Sequence, residues 1–242
     1  MTLDELAVLL FSASPRFTVE KIGTFHGPAK LKNGREVVVA GIANGTPVSP
    51  EVALTLARYV LDHIASGNNA PLVLLIDTAS QNMARRDELL GLNEYLSHLA
   101  KSLILAGKVG IRVVGILYGK AAAGAFIATA LSAQTLISVP GGEPSVMDLP
   151  SIARVTKLSL NQLEAMSKTT PIFAPGIDYM VLTGAVAESW ADKASFADQL
   201  VQVVETLPSA ADDRAALGKA RGGRKVAGAI AERVVHEAET LA

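Results

Sequence analysis

Short apolar runs separated by longer amphipathic segments recur along the first 140 residues of this sequence. The runs lie at residues 36–42 (EVVVAGI), 71–77 (PLVLLID), 111–118 (IRVVGILY) and 135–139 (TLISV). Continuous apolar runs of this length are typical of strands that are buried on both faces of a sheet. Because helical segments lie between them, we predict a mostly parallel sheet covered by helices. This alternation restricts the chain to the α/β class.

The segments between the strands carry the signals of helices. Ser49 and Pro50 are suited to the N-cap and the first position of a helix that runs to about residue 66. A long amphipathic helix is predicted at residues 86–107, and an alanine-rich helix at residues 121–133.

The two ends of the chain depart from this central pattern. Residues 1–34 look irregular apart from a short helix at residues 3–11. Beyond residue 151 the chain is mostly helical, and residues 209–242 are predicted to form a C-terminal helix that breaks or bends near Gly222 and Gly223. No linker or repeat interrupts the sequence, so we expect one domain over all 242 residues with a helical C-terminal region.

The composition excludes several classes of protein. The formal net charge is −1 with no block of one sign, so no nucleic-acid partner is expected. The chain has no cysteine, which excludes disulfides, thiolate metal sites and a cysteine nucleophile. The acidic start of the sequence lacks the basic residues of a secretory signal. We therefore expect a cytoplasmic protein.

An uncharged stretch at residues 121–142 is long enough to suggest a membrane span. It is rich in alanine rather than leucine, and polar residues such as Ser132 and Gln134 interrupt it. A buried helix followed by a buried strand explains this composition better than a span does, so no membrane contact is expected.

The familiar catalytic motifs are missing from the sequence. Residues 119–124 (GKAAAG) have the glycine spacing of a phosphate-binding loop, but Ala125 and Phe126 stand where that loop needs Lys and Ser or Thr. No Gly-x-Gly-x-x-Gly follows a strand, and no Gly-x-Ser-x-Gly is present. The four histidines lack metal-ligand spacing, so no metal site is predicted. If the chain is an enzyme, its backbone N–H groups are expected to carry much of the chemistry.

The corner between the third strand and the alanine-rich helix is built from very small residues. One interpretation is close packing of the helix on the sheet. The other is functional, because the first N–H groups of a helix have no partners within it and small side chains leave them accessible. On this interpretation the N–H groups of Ala123, Gly124 and Ala125 bind an anionic oxygen. A donor aimed at a developing oxyanion contributes about 3–4 kcal/mol.

Two neighbouring features are candidates for substrate binding. The turn after the first strand offers the N–H groups of Gly45 and Thr46, whereas Pro47 has none to donate. Lys120 lies at the strand-to-helix corner, where its ammonium group either attracts an anionic ligand or is simply solvated.

Four stretches of the sequence carry a more specific pattern. They are residues 41–54 (GIANGTPVSPEVAL), 85–103 (RRDELLGLNEYLSHLAKSL), 146–159 (VMDLPSIARVTKLS) and 170–176 (TPIFAPG). These stretches resemble malonate decarboxylase gamma subunits. Leu75-Ile76-Asp77-Thr78, followed after a long helix by Leu117-Tyr118-Gly119 with Ala123-Gly124-Ala125, looks like the carboxyltransferase branch of the crotonase superfamily. The resemblance covers roughly residues 35–190.

The resemblance implies a crotonase-like (ClpP/crotonase) spiral fold and a shared active site. In this family a beta and a gamma subunit of similar fold pair and form the site between them. The substrate is a malonyl thioester on the prosthetic group of an acyl carrier protein, and the products are the acetyl thioester and carbon dioxide. The resemblance thus implies the beta subunit and the carrier protein as partners, and no cofactor bound by this chain.

The resemblance also implies a role for the small-residue corner. An oxyanion hole of the beta subunit would receive the thioester oxygen, and Gly124 and Ala125 of this chain would face the departing carboxylate. Relatives often have Ser-Gly-Gly where this chain has Ala123-Gly124-Ala125. Alanine keeps the N–H group but has no hydroxyl, so no serine role is carried over to residue 123.

Two other functions are compatible with the same residues. The first is a carboxyltransferase subunit of a biotin-dependent complex, which moves a carboxyl group onto biotin carried by another subunit. The second is a non-catalytic scaffold that only stabilises its partner. Sensitivity of turnover to avidin identifies the first, and indifference of turnover to a Gly124→Val substitution identifies the second.

Overall fold

The computed structural model describes most of the chain, namely residues 1–169, 176–206 and 212–240. Nearly all of the TPIFAPG stretch therefore lies outside the described residues, as do the first and last residues of the predicted C-terminal helix. Within the described residues, no helix is long and apolar enough to cross a membrane.

The chain divides into two compact units. The first unit is formed by Met1–Met147 and Glu188–Pro208, and the second by Asp148–Ala187 and Ser209–Ala242. The first unit contains the sheets, and the part of the second unit that the structure describes contains helices.

Eight strands are described, all in the first unit. They are β1 (Thr24–Lys30), β2 (Glu36–Gly45), β3 (Leu72–Thr78), β4 (Val113–Leu117), β5 (Lys120–Ala122), β6 (Thr135–Ser138), β7 (Glu143–Ser145) and β8 (Glu188–Ser189). Six of them form a sheet in the order β1-β2-β3-β4-β6-β8, and β5 pairs with β7 in a separate sheet. All pairings are parallel except that of β1 with β2. The four strands predicted from apolar runs, and the mostly parallel sheet, are confirmed.

The strand β1 lies in the segment that the sequence predicts to be irregular. Its sequence, TFHGPAK, contains Gly27 and Pro28 and no apolar run, because only alternate side chains face the core. It is the edge strand of the sheet, where proline and polar residues are tolerated. Pairing with β2 along its whole length, not its own propensity, makes it a strand.

The helices of the first unit are α1 (Leu3–Leu10), α2 (Pro50–Ala65), α3 (Arg85–Leu89), α4 (Leu92–Lys108), α5 (Ala123–Ala128) and α9 (Phe196–Glu205). Those of the second unit are α6 (Leu149–Thr156), α7 (Leu160–Ser167), α8 (Ile177–Leu182), α10 (Arg214–Ala220) and α11 (Ala227–Thr240). The predicted start of α2 is confirmed, since the Ser49 hydroxyl accepts a hydrogen bond from the Val52 N–H and Pro50 follows it.

Two predicted helices are shorter than the sequence indicates. The helix predicted at residues 86–107 is divided into α3 and α4 at Gly91, whose φ of 78° is left-handed. The helix predicted at residues 121–133 begins instead as β5, continues as the six-residue α5 and ends in a 3₁₀ turn at Ala130–Ser132. Pairing of β5 with β7 overrides the helical propensity of the alanines.

The predicted break near the glycine pair in the C-terminal segment is confirmed. Helix α10 ends at Ala220, α11 begins at Ala227, and Gly222 between them has a left-handed φ of 78°. The turn is held by Arg221, whose guanidinium donates hydrogen bonds to the carbonyl oxygens of Val181, Val186 and Ala187.

Close contact between strands of the main sheet depends on one glycine. A Cβ at Gly41, in β2, would overlap the carbonyl oxygen of Leu75 in β3 and lie 2.6 Å from the ring of the buried Phe25. Since the overlapping atom belongs to backbone in the middle of the sheet, the neighbour cannot move aside cheaply.

We therefore expect Gly41→Ala to lower the free energy of unfolding by about 1–3 kcal/mol, the usual cost of overpacking. Gly27→Ala in β1 is the matched control, because a Cβ there would make an ordinary contact of 3.5 Å with Phe17. Urea unfolding followed by circular dichroism measures both variants. Equal stability of the two would contradict the close packing described here.

Candidate functional site

Three loops meet where the parallel strands β2, β3 and β4 end. They are the turn that includes Gly45 and Thr46, the segment from Asp77 to Gln81, and the corner from Tyr118 to Gly124. In parallel α/β sheets, ligands commonly bind outside the carboxyl ends of the strands. The residues singled out in the sequence thus fall in one region of the first unit.

The carboxylate of Asp77 connects two of these loops. One oxygen accepts a hydrogen bond from the Gly45 N–H at 3.1 Å, and the other accepts one from the Lys120 N–H at 3.2 Å. A Cβ at Gly119 would overlap this carboxylate, so glycine is needed there for the carboxylate to approach the corner. Hydrogen bonds to an ionised acceptor are stronger than neutral ones, so Asp77 fixes the positions of both loops.

The N–H groups of Gly45 and Thr46 have partners within the chain. The Gly45 N–H donates to Asp77, and the Thr46 N–H donates to the Ala43 carbonyl oxygen at 3.3 Å. The Thr46 hydroxyl donates to the same oxygen at 2.7 Å, while its own carbonyl accepts from the Thr78 hydroxyl at 2.6 Å. Either N–H group can bind a substrate only if its hydrogen bond within the chain breaks and a hydrogen bond to the substrate replaces it.

The corner at Ala123 has an unusual backbone. Ala123 has a φ of 50°, in the left-handed region that alanine rarely adopts and that costs about 1–2 kcal/mol. Helix α5, which begins here, has only six residues, so the helix-dipole argument made from the sequence loses most of its weight. Ala125 is fully buried, and Gly124 is half-buried.

The sequence analysis expected the N–H of Gly124 to be accessible, but in the structure it already has a partner. It donates a hydrogen bond of 2.9 Å to the side-chain oxygen of Gln81. This oxygen belongs to an uncharged amide, and it lies where the sequence analysis expected an anionic oxygen to bind the Gly124 N–H. The structure therefore brings together Gly124 and Gln81, a residue that the sequence analysis did not single out.

The segment that carries Gln81 is anchored on both sides. The Val48 N–H donates to the Ser80 carbonyl, and the Asn82 N–H donates to the Val48 carbonyl, each at 2.8 Å. The Asn82 side chain donates at 2.6 Å to Asp87, a buried carboxylate in α3. The backbone around Gln81 is thus held in place, and its side chain is the part that can move.

An ion pair ties α3 to α2 next to this segment. Arg86 lies 2.7 Å from Glu51 and 3.0 Å from Asp87. Its hydrogen bond lowers the pKa of Glu51 to about 2. Because the folded-state pKa of Glu51 is depressed, the pair stabilises the fold above pH 4.5 and loses that contribution as the pH falls toward 2. Both side chains are well exposed, so solvent screens the pair and its contribution to stability is small.

Two further ionisable side chains lie at this corner, those of Tyr118 and Lys120. Burial, and to a smaller extent the charge of Asp77, raises the pKa of Tyr118 well above its usual value. Its hydroxyl donates to the Ile42 carbonyl oxygen at 3.3 Å and stays protonated. The Lys120 side chain is exposed. Among the described residues, no group of three or more His, Cys, Asp or Glu side chains is placed to hold a metal ion.

Sequence reasoning missed Asp77, Gln81 and Gly119 as members of the site. A signal for Asp77 was present, because it is the one charged residue at the end of an otherwise apolar run. No comparable signal marked Gln81, whose partner lies 43 residues away in the chain.

The fold belongs to a recognisable class, the crotonase-like fold. The chain superposes on a Pseudomonas malonate decarboxylase hetero-tetramer in complex with coenzyme A with a TM-score of 0.82, 22% identity, and coverage of 98% of this chain and 99% of that one. For the Pseudomonas MdcD–MdcE hetero-dimer the TM-score is 0.70 and the identity 24%, with coverage of 97% of this chain and 98% of that one. For transcarboxylase 12S the TM-score is 0.67 and the identity 16%, with coverage of 86% of this chain and 42% of that one. At these identities the likeness shows the fold, and the predicted crotonase-like fold is confirmed.

The family follows from the sequence match. The family model of the malonate decarboxylase gamma subunit matches residues 43–238, so the chain belongs to the malonate decarboxylase gamma subunit family. A malonyl-S-ACP:biotin-protein carboxyltransferase from Malonomonas rubra is 29% identical over 174 residues, which cover 66% of this chain. The match spans 59% of the length of that relative.

We expect Asp77→Asn to lower the free energy of unfolding by about 1.5–3 kcal/mol, the value of a hydrogen bond to a charged group. Asparagine has the same shape but only one oxygen, so one of the two N–H groups loses its acceptor. Chemical denaturation measures the change.

The matched control is Asp198→Asn, which removes a charge in the first turn of α9 and its exposed ion pair with Lys32, and should cost less than about 1 kcal/mol. A loss at residue 77 no greater than the loss at residue 198 would mean that Asp77 does not hold the two loops.

Proposed function

We propose that this chain is the gamma subunit of a malonate decarboxylase that works with a homologous beta subunit in the cytoplasm. The substrate is a malonyl thioester on the prosthetic group of an acyl carrier protein, and the products are the acetyl thioester and carbon dioxide. The observation that carries the proposal is the family match over residues 43–238, which includes all three loops of the candidate site.

The reaction requires a place for negative charge. As the bond between the α-carbon and the carboxylate breaks, its electron pair moves into the thioester carbonyl, carbon dioxide leaves, and the resulting enolate carbon takes a proton from water. Donors aimed at the thioester oxygen stabilise the enolate and accelerate the reaction. In our proposal the beta subunit supplies those donors.

The gamma subunit has the opposite electrostatic task. The carboxylate loses its charge in the transition state, so a site that bound it strongly would stabilise the ground state and slow the reaction. A neutral N–H group orients the carboxylate with less ground-state stabilisation than a cation would provide. We assign this orienting role to Gly124, with the buried Ala125 behind it supporting the turn and the left-handed Ala123 setting the direction of the corner.

The other candidate residues are given binding roles. Lys120, with its exposed side chain, attracts the charged substrate toward the site without lying on the reacting atoms. Gly45 and Thr46 contact the substrate through their backbone, in exchange for their bonds to Asp77 and Ala43. This chain contributes no cofactor of its own, since the carrier protein brings the thioester on its prosthetic group.

A partner subunit is supported by the surface of α11. This 14-residue helix has no buried residue in the described chain. Val226, immediately before the helix, is followed at four-residue intervals by Ile230 and Val234 within it, and 66%, 58% and 60% of their surfaces are exposed. An isolated helix of this length is marginal in water, and exposed apolar stripes mark interaction surfaces. We assign this stripe to the contact with the beta subunit.

A second candidate function is favoured by the relative from Malonomonas rubra, which is a carboxyltransferase that acts on a biotin protein. In that case the carboxyl group is transferred to biotin instead of leaving as carbon dioxide. Adding avidin would then stop turnover, whereas a biotin-independent decarboxylase is unaffected.

The chain co-purified with its beta subunit is expected to release carbon dioxide from malonyl-carrier protein, and the chain alone is not. Gly124→Val should lower kcat/KM about 100-fold, because small displacements of an orienting group have effects of this size. A Cβ at Gly124 lies 3.2 Å from Leu96 and 3.3 Å from the Gln81 oxygen, so the larger side chain of valine shifts the corner.

Gly27→Val, the same change in β1, is the matched control for turnover, and size-exclusion chromatography verifies that each complex stays intact. Full turnover by an intact Gly124→Val complex would indicate a non-catalytic scaffold and overturn the assignment of this corner.

Ile230→Asp is expected to weaken the affinity for the beta subunit at least tenfold, because it places a charge in the middle of the apolar stripe. His236→Asp introduces the same side chain on the same helix, about 120° away around its axis, and serves as the control. Calorimetric titration with the beta subunit measures both. If both variants bind as the wild type does, the contact lies elsewhere.

A further inference from the structure

The Gly124 N–H cannot bind a substrate while Gln81 holds it, and this is the starting point of an inference that rests on the proposed function. The hydrogen bond measures 2.9 Å, and both residues are half-buried. Gln81 is brought to this point by the flanking bonds of Ser80 and Asn82 to Val48, which fix the backbone. Releasing the Gly124 N–H therefore requires only a rotation of the Gln81 side chain.

The chemistry of the side-chain amide determines what it does there. A glutamine offers one acceptor oxygen and one donor nitrogen, and only the oxygen can face an N–H group without donor meeting donor. The oxygen is neutral, so it satisfies the Gly124 N–H without supplying charge. A carboxylate forms a charge-assisted bond with the same N–H that is roughly twice as strong. A substrate carboxylate is therefore able to displace Gln81.

We propose that Gln81 is a resident placeholder, whose side-chain oxygen occupies the Gly124 N–H until the carboxylate of a malonyl group displaces it. The placeholder keeps the donor satisfied in the empty site and competes with every substrate molecule that arrives. It also replaces the carboxylate as carbon dioxide leaves, so the donor is never left bare. Gln81 thus weakens the binding of the substrate carboxylate, which is the group whose tight binding would slow the reaction.

In this role Gln81 affects the binding of the malonyl substrate but not the binding of the acetyl product. A malonyl group places its carboxylate at Gly124, so it must displace Gln81 and is bound more weakly because of it. An acetyl group has no carboxylate to place there, so its binding is indifferent to Gln81. A residue that merely supported the structure of the site would affect both ligands in the same direction.

The test replaces Gln81 in the complex of the chain with its beta subunit. Gln81→Ala removes the competitor, and KM for malonyl-carrier protein should fall about three- to tenfold, equivalent to about 0.6–1.4 kcal/mol at 1.4 kcal/mol per tenfold. The inhibition constant of the product, acetyl-carrier protein, should not change. Gln81→Glu should raise KM at least tenfold, because a carboxylate on the same side chain holds the N–H more strongly.

Gln81→Leu provides a second test if the alanine variant does not assemble, since leucine retains much of the volume but accepts no hydrogen bond. Gln202→Ala, at an exposed position of α9, is the control and should leave KM and the inhibition constant as they are. An unchanged or higher KM in Gln81→Ala and Gln81→Leu would overturn the proposal, and so would a parallel shift of the product inhibition constant.

Failure of the proposed function gives a different result. A wild-type complex that releases no carbon dioxide would refute the decarboxylase assignment before any variant is compared. Calorimetric titration with malonate still decides the role of Gln81 in that case. Malonate should bind Gln81→Ala three- to tenfold more tightly than it binds the wild type, and equal affinities would refute the placeholder.

Discussion

The carboxylate of Asp77 is the group on which the geometry of the site depends. It stands at the end of β3 and accepts hydrogen bonds from the N–H groups of Gly45 and Lys120, which belong to two other loops. The absence of a side chain at Gly119 lets the carboxylate reach the corner. Through the short strand β5, which begins at Lys120, this contact determines where the backbone turns at Ala123. A single charged group thus sets the position from which Gly124 presents its N–H.

The proposed chemistry explains why such a site contains so few titratable groups. Decarboxylation needs strong stabilisation of the developing enolate and weak attachment of the carboxylate that disappears. A lysine or arginine in contact with that carboxylate would oppose its departure. The half-buried N–H of Gly124, shared with the neutral oxygen of Gln81, is a weak and directional partner. The left-handed conformation of Ala123 is a local strain of the kind that folded proteins retain at functional sites.

The sequence was sufficient for the parts of the fold that local patterns determine. Continuous apolar runs predict the buried parallel strands, and Ser49 and Pro50 predict the start of α2. Both signals depend only on residues that are neighbours in the sequence. The corner before α5 was predicted as helix because alanine favours helix, and only pairing with β7, far along the chain, makes residues 120–122 a strand. The sequence also could not predict the hydrogen-bond acceptors of the Gly45 and Gly124 N–H groups, because these acceptors are distant in the chain. The bonds of Gly45 to Asp77 and of Gly124 to Gln81 join residues 32 and 43 positions apart.

The most direct test of the account is to observe the glycine amides while a ligand binds. The chain labelled with ¹⁵N-glycine, in complex with its beta subunit, is titrated with malonate and followed by NMR. The account predicts that the Gly124 amide proton shifts downfield as the carboxylate replaces Gln81, while the amide of Gly27 in β1 stays unchanged. A Gly124 resonance that does not respond to saturating malonate would contradict the central claim that this N–H meets the substrate carboxylate.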